Sequence, residues 1–278
     1  MSAKTAVRAR GLVVSYGPNT ALAASDFVIP AGGVTAVIGP NGSGKSTVLN
    51  VIAGLVEPSA GSIEVDASPG RLSYVMQATK VNEMLPVTVR EVVAMGRYAT
   101  LGAYHRVGAE DRSAVDSAMA RLEIADLASR HLHDLSGGQR QRVFVAQGLA
   151  QDHDVLLLDE PLTGIDLTTA QAIDEVIHGE TEEGCSVIMT THDLSEAGTA
   201  DHVLLLAGRV TAFGSPPDVL TEASLVEAYG PSLLHVEKGR VFLDDPAHAP
   251  VMSRHAHRER SIHTESDRSD LHGEKGVG

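Results

Sequence analysis

The stretch VTAVIGPNGSGKS, residues 34–46, is a short apolar run that leads into a glycine-rich loop. The loop, Gly39 to Ser46, fits the pattern G-x-x-x-x-G-K-S/T, in which glycines let backbone N–H groups turn inward around phosphate oxygens. Helical spacing follows from Thr47 to Leu55. The stretch therefore predicts a strand, a phosphate-binding loop and a helix in succession.

A nucleoside triphosphate with Mg²⁺ is the predicted ligand of this loop. Lys45 is placed to reach the β- and γ-phosphates, and the Ser46 hydroxyl to bind Mg²⁺. The helix that follows adds its positive N-terminal end. The residues predicted to bind the nucleotide here are Gly39, Pro40, Asn41, Gly42, Ser43, Gly44, Lys45, Ser46 and Thr47.

A second apolar run, VLLLDE at residues 155–160, ends in two carboxylates. Its continuous apolar character favours a central strand of a parallel sheet. Asp159 at the tip is predicted to hold Mg²⁺, usually through water, and Glu160 to accept a proton from the attacking water. His192 follows a further apolar run, 187–191, and can reach the γ-phosphate or that water if it lies at another strand end.

The rest of the chain indicates an α/β protein with a mainly parallel sheet covered on both faces, because strand-like runs alternate with helical patterns. Residues 1–235 are predicted to form one nucleotide-binding domain, with a mostly helical subdomain at about 86–150. Residues 236–278 lose apolar periodicity and are rich in Ser, Asp, Arg and His, so they are predicted to be a flexible tail.

Composition excludes several function classes. A net charge of −14 over 278 residues repels phosphate backbones and anionic lipid headgroups, so no nucleic-acid partner is expected. Apolar runs stay below the ~18 residues of a membrane helix, so a transport role requires separate membrane subunits. Cys185 is the only cysteine, which rules out an intramolecular disulfide, and it is predicted to be a small buried hydrophobe.

The segment LSGGQ, residues 135–139, precedes a helical stretch that runs from Arg140 to Ala150. Ser136 is a good N-cap, and the two glycines permit close backbone approach. Such a helix start is a second phosphate-binding device, 91 positions after Lys45. One chain thus carries two surfaces that suit phosphate.

Taken in order, these motifs resemble those of ABC-transporter nucleotide-binding subunits over about Lys4 to Tyr229, and residues 135–139 match that family's signature. The resemblance implies a P-loop NTPase (RecA-like) core, an N-terminal antiparallel β part and a helical signature subdomain. It also implies site roles: Tyr16 stacks on adenine, Gln77 touches Mg²⁺ or the lytic water, Asp166 lies in the dimer-interface loop, and His192 is the switch histidine. The implied catalytic set is Glu160, His192 and Gln77, and the implied Mg²⁺ set is Ser46, Gln77 and Asp159.

The same resemblance implies that two subunits work as a pair, most simply a homodimer. Each ATP would lie between one subunit's phosphate loop and the partner's Ser136, Gly137, Gly138 and Gln139. The other implied partners are polytopic permease subunits and an extracytoplasmic substrate-binding protein. The chain would then be cytoplasmic, bound to the inner face of the cell membrane through the permease.

Two other function classes are weighed against the transporter. A soluble ABC ATPase acting on nucleic acid or ribosomes fits poorly with the acidic charge, the single cassette and the short distance between phosphate loop and signature. A binding module that uses ATP as a slow switch fits poorly with Glu160 and His192 both being in place.

The transported substrate is indicated only by the resemblance to particular branches of the family. Residues 85–98, LPVTVREVVAMGRY, resemble importers of metal ions and of metal chelates, whereas 122–138 and 161–166 resemble the zinc and manganese branch. The predicted cargo is zinc or manganese, with iron-siderophore or cobalamin import as the alternative. Five histidines fall within residues 248–272, and His255 and His257 are a possible weak zinc site.

Overall fold

The computed structural model describes residues 4–77, 86–99, 108–230, 234–237 and 240–243. Met1–Asp244 contains one compact unit, and the predicted tail zinc site, His255 and His257, lies outside the described residues. The strands are β1 Thr5–Tyr16, β2 Asn19–Pro30, β3 Val34–Ile38, β4 Ala60–Val65, β5 Leu72–Val75, β6 Val155–Asp159, β7 Ser186–Thr190, β8 His202–Leu206, β9 Val210–Gly214, β10 Leu234–Glu237 and β11 Arg240–Leu243. The helices are α1 Lys45–Ile52, α2 Val89–Met95, α3 Ala109–Arg121, α4 Gly137–Ala150, α5 Leu167–Glu182, α6 Leu194–Thr199, α7 Pro216–Val219 and α8 Glu222–Tyr229.

The central sheet has six strands in the order β5-β6-β7-β3-β8-β9. All neighbours pair in parallel except β8 and β9, which pair antiparallel. Every residue of β3, β6 and β7 is buried, as expected for parallel strands covered on both faces. The predicted α/β class with a mainly parallel sheet is confirmed.

Two apolar clusters cover the two faces of this sheet, and successive strand residues alternate between them. Leu156 and Leu158 pack into one cluster with residues of α2, α3 and α4. Val155 and Leu157 pack into the other with α1 and the N-terminal strands. The sheet is therefore the rigid platform from which the loops at the strand ends project.

A separate three-stranded antiparallel sheet has the order β2-β1-β4. It confirms the N-terminal antiparallel β part that the family resemblance implied. Several register shifts interrupt the pairing of β1 with β2.

Helices α2, α3 and α4 occupy the segment predicted to be helical. Thr88 caps α2 through a reciprocal pair with Glu91, a capping box. The Arg97 side chain is about nine-tenths buried and contacts α3 and the residues that follow α4, with Nε 2.9 Å from Asp111 Oδ1 and Nη1 3.0 Å from Asp152 Oδ1. Among the described residues, no helix has the length and apolar character needed to cross a membrane.

Both predicted ends of the first helix were wrong. The helix after the phosphate loop begins at Lys45 rather than Thr47 and ends at Ile52 rather than Leu55. Gly44 and Gly54 explain both limits, because each has a positive φ, +101° and +69°, that breaks the helical conformation.

Candidate active site

The phosphate loop, Asp159 and His192 lie at the ends of three neighbouring strands, β3, β6 and β7. The phosphate loop follows β3, Asp159 is the last residue of β6, and His192 lies two residues after the end of β7. Because these strands are parallel, their carboxyl ends lie at one edge of the sheet, the usual place for a ligand site in an open α/β sheet.

Glycine is required at both ends of the phosphate loop. A Cβ at Gly39, where φ is +150°, would lie 2.2 Å from the Leu206 carbonyl oxygen. At Gly44 a Cβ would lie 2.8 Å from the carbonyl oxygen of Ala21. Both contacts are impossible for a side chain, so the loop can pack against β8 and β2 only as a glycine loop.

The Lys45 ammonium is folded back over the loop. Its Nζ donates to the carbonyl oxygens of Gly39 at 2.7 Å and Pro40 at 3.2 Å, and the residue is 7% exposed. A buried cation in the cradle of a loop attracts phosphate oxygens strongly, because a low-dielectric site weakens electrostatic interactions less than water does.

Ser46 and Asp159 meet although 113 positions separate them. The Ser46 hydroxyl lies 3.3 Å and 3.4 Å from the two Asp159 carboxylate oxygens. Asp159 is buried and also accepts a 2.8 Å hydrogen bond from the Thr190 hydroxyl. A hydroxyl and a carboxylate together are hard oxygen donors, which fits the ligand preference of Mg²⁺.

The two other residues predicted to be catalytic both contact the Glu160 carboxylate. Gln77 Nε2 donates to Glu160 Oε2 at 2.9 Å, and His192 Nε2 lies 2.5 Å from Glu160 Oε1. Each carboxylate oxygen is thus oriented by a different strand end. The side chains of Glu160 and His192 are each only about one-sixth exposed.

Thr190 is a site residue that the sequence analysis missed. Its hydroxyl accepts a 2.8 Å hydrogen bond from the Glu160 backbone N–H as well as donating to Asp159. Glu160 has a φ of +53°, which a side chain rarely adopts and which costs conformational energy. The hydrogen bond to Thr190 helps to hold Glu160 in this conformation.

The signature segment forms a capped helix start, as predicted. Ser136 Oγ accepts from the Gln139 N–H at 3.3 Å, and Gln139 Oε1 accepts from the Ser136 N–H at 3.0 Å. Ser136 and Gly137 are exposed. The first turn of α4 therefore presents its N-terminal end to the surface.

Asp166 lies beside this helix start. It caps α5 by accepting from the Thr169 N–H and hydroxyl, both at 2.9 Å, and these hydrogen bonds lower the pKa of its carboxyl. A Cβ at Gly138 would lie 3.1 Å from both Asp166 Oδ2 and Thr169 Oγ1. The next residue, Leu167, is an apolar side chain left 74% exposed.

Tyr16, the last residue of β1, is half exposed. Tyr74 is more enclosed, and its hydroxyl donates to Asn50 Oδ1 at 3.2 Å. Burial, with the nearby Asp159 carboxylate and Tyr16, raises the pKa of Tyr74 well above its ordinary value.

The chain is similar to known proteins in sequence and in fold. Residues 22–163 match the family model described as ABC transporter. The chelated iron transport system membrane protein YfeB of Yersinia pestis is 37% identical over 82% of this chain and 79% of its own. The zinc transport system ATP-binding protein TroB of Treponema pallidum is 38% identical over 81% of this chain and 87% of its own.

A solved nucleotide-free ATP-binding cassette from an ABC transporter has the same fold, with a TM-score of 0.71. It shares 23% sequence identity and covers 81% of this chain and 98% of its own.

Proposed function

We propose that this chain, which belongs to the ABC transporter family, powers the import of a transition-metal ion as the ATP-hydrolysing subunit of its transporter. ATP hydrolysis is the activity of this family's ATP-binding subunits. The observation that carries the proposal is the convergence of Gln77 and His192 on Glu160, beside the Ser46–Asp159 pair. The metal cargo is supported by the two relatives, which belong to iron-chelate and zinc transport systems.

In the proposed mechanism, the phosphate loop binds ATP and Lys45 moves from the loop carbonyls to the β- and γ-phosphates. Ser46, Asp159 and Gln77 would hold Mg²⁺, which when bound offsets the charge of the β- and γ-phosphates. Glu160 accepts a proton from the attacking water. Gln77 and His192, which orient Glu160, hold that water and the γ-phosphate in line.

Pairing would complete each site. The exposed N-terminus of α4 suits phosphate because its N–H groups and dipole favour negative charge. We infer that it contacts the γ-phosphate held by the partner subunit, with Asp166 and the exposed Leu167 in the interface. ATP bound between two chains then links them, and hydrolysis removes the link.

Replacing Tyr16 by alanine is expected to weaken ATP binding about fivefold, because an aromatic stacking contact is worth roughly 1 kcal/mol. Tyr16→Phe keeps the ring and should bind ATP like the natural chain. A fluorescent ATP analogue titrated into both variants measures the difference. Equal affinities for Tyr16→Ala and the natural chain would remove Tyr16 from the adenine site.

The permease would dock beside Gln77. Met76 and Met95 are exposed and line one cavity together with Gly96 and Phe144, and Tyr98 on the same segment is 61% exposed. Exposed Met and aromatic side chains are enriched in protein interfaces. If a cytoplasmic segment of the permease bound there, its movement would shift Gln77, and the hydrogen bond from Gln77 would in turn shift Glu160. This contact would hold the chain at the inner face of the membrane, with a substrate-binding protein on the other side.

Reconstitution with a permease and a substrate-binding protein of a metal import system tests the cargo. We expect ATP-dependent uptake of one metal from a panel of Zn²⁺, Mn²⁺ and a ferric chelate, and no uptake with Glu160→Gln. ATPase activity stimulated by nucleic acid or ribosomes and not by the permease would overturn the transporter assignment. Uptake of none of the three metals, with a permease-stimulated ATPase, would overturn the cargo alone.

A further inference from the structure

Three potential metal ligands lie together at the amino end of the central strands. His153 precedes β6 by two residues, Cys185 directly precedes β7, and Glu180 lies in the last turns of α5. One donor atom of each lies within 4.8 Å of the other two. The site is at the edge of the sheet opposite to Glu160, roughly 20 Å away along β6.

The outer contacts of this cluster resemble those of a metal centre. His153 Nδ1 lies 2.6 Å from the Gln151 carbonyl oxygen. Because a carbonyl oxygen only accepts hydrogen bonds, this contact places the proton of the neutral ring on Nδ1 and leaves the lone pair of Nε2 for a metal ion. Nε2 lies 2.8 Å from Glu180 Oε2. The other Glu180 oxygen is 2.5 Å from Arg121 Nη1. The Gln151 carbonyl thus orients His153, and Arg121 orients Glu180. Metal ligands are typically held by such outer hydrogen bonds.

We propose that His153, Glu180 and Cys185 bind a Zn²⁺-class ion with one chain supplying all three protein ligands. Thiolate, imidazole and carboxylate are the ligands that Zn²⁺ and Co²⁺ share, whereas Mg²⁺ and Mn²⁺ prefer oxygen. Tetrahedral zinc holds its ligand atoms roughly 3.5 Å apart, so small side-chain shifts suffice. Water would complete the coordination.

The charge of the cluster also suits a divalent ion. Burial alone lowers the pKa of His153, but contacts with Cys185 and Glu180 outweigh it and raise the pKa to about 10. Since metal ligands must be deprotonated, a bound divalent ion would replace any proton on His153 Nε2 and Cys185 Sγ.

The cluster lies close to the surface, so a metal ion has a short path to it. The side chains of His153 and Glu180 are 5% and 7% exposed, and Cys185 is buried. Residue 182, which ends α5, and residues 183 and 184, which join α5 to Cys185, are all exposed. An ion can enter by a local opening of this turn, and once bound it would tie the end of α5 to the starts of β6 and β7.

Titration of the chelator-treated full-length chain with Co²⁺ tests this site. Because Cys185 is the only cysteine, any thiolate-to-cobalt charge-transfer absorption must come from it. We expect that band to saturate at one equivalent per chain, to disappear on adding one equivalent of Zn²⁺, and to resist excess Mg²⁺. The double variant His255→Ala/His257→Ala should keep the band, and Cys185→Ser should lose it.

His153→Ala keeps the cysteine and should weaken Co²⁺ binding at least tenfold, with circular dichroism reporting that it remains folded. A folded natural chain that gives no charge-transfer band, or a band whose affinity is unchanged in folded His153→Ala, would overturn the proposal. Either result would leave the proposed transport function untouched, since the cluster lies away from the ATP site.

Discussion

Glu160→Gln is expected to lower kcat for ATP hydrolysis by roughly 10²–10⁴-fold, the range that a general base contributes. The amide has nearly the shape of the carboxylate but cannot accept the proton of the attacking water. ATP affinity should stay within about twofold, because Lys45 and the phosphate loop are unchanged. Steady-state phosphate release and equilibrium ATP binding measure the two quantities separately.

A matched control removes the same charge elsewhere. Glu175 is exposed on α5, so Glu175→Gln should hydrolyse ATP like the natural chain. If Glu160→Gln kept more than about a tenth of the natural kcat, Glu160 could not be the general base. The contacts of Glu160 with Gln77 and His192 would then only stabilise the structure.

Gly137→Glu is expected to abolish ATP hydrolysis without disturbing the isolated chain. A Cβ at Gly137 meets nothing within 4 Å, so the substitution has space in the monomer. In a paired site, the new carboxylate would face the γ-phosphate of the partner's ATP and repel it. We expect ATPase activity to fall at least 100-fold while the melting temperature and monomeric ATP binding stay unchanged.

Ser113→Glu is the control for added charge, because Ser113 is exposed on α3. Mixing provides a sharper test of pairing. A chain with Gly137→Glu and a chain with Lys45→Ala are each inactive alone, but a mixed dimer contains one site with an intact phosphate loop and an intact signature. Recovery of activity on mixing supports composite sites, and unimpaired hydrolysis by Gly137→Glu alone would exclude them.

The central strands were predictable because each is marked by the apolar character of its own residues. Residues 155–158 and 187–189 are continuously apolar, and parallel strands covered on both faces bury such runs completely. The phosphate loop was predictable for a similar reason, since Gly39 and Gly44 occupy positions where no side chain fits.

Other features depend on contacts that sequence spacing does not reveal. Strand β2 was not predicted individually, and the bulges in its pairing with β1 disturb regular alternation. Thr190 looked like one more residue of an apolar strand, and only its register opposite Asp159 makes it a support for the site. Gln77 meets Glu160 because β5 lies next to β6, a sheet order that sequence spacing does not reveal.

The roles of the predicted site residues remain proposals that the geometry supports. Ser46, Gln77, Asp159, Glu160 and His192 lie together at one strand edge. The signature and Asp166 lie together at the start of α4 and α5. These two groups become one site only if a second chain brings its signature to the first chain's phosphate loop.

The mass of Glu160→Gln in solution with ATP and Mg²⁺, measured by light scattering, tests this central claim most directly. The variant should be a dimer with ATP and a monomer without it, because unhydrolysed ATP holds two chains together. The double variant Glu160→Gln/Gly137→Glu should stay monomeric under both conditions. A Glu160→Gln chain that binds ATP and still has the mass of a monomer would contradict the paired-site account.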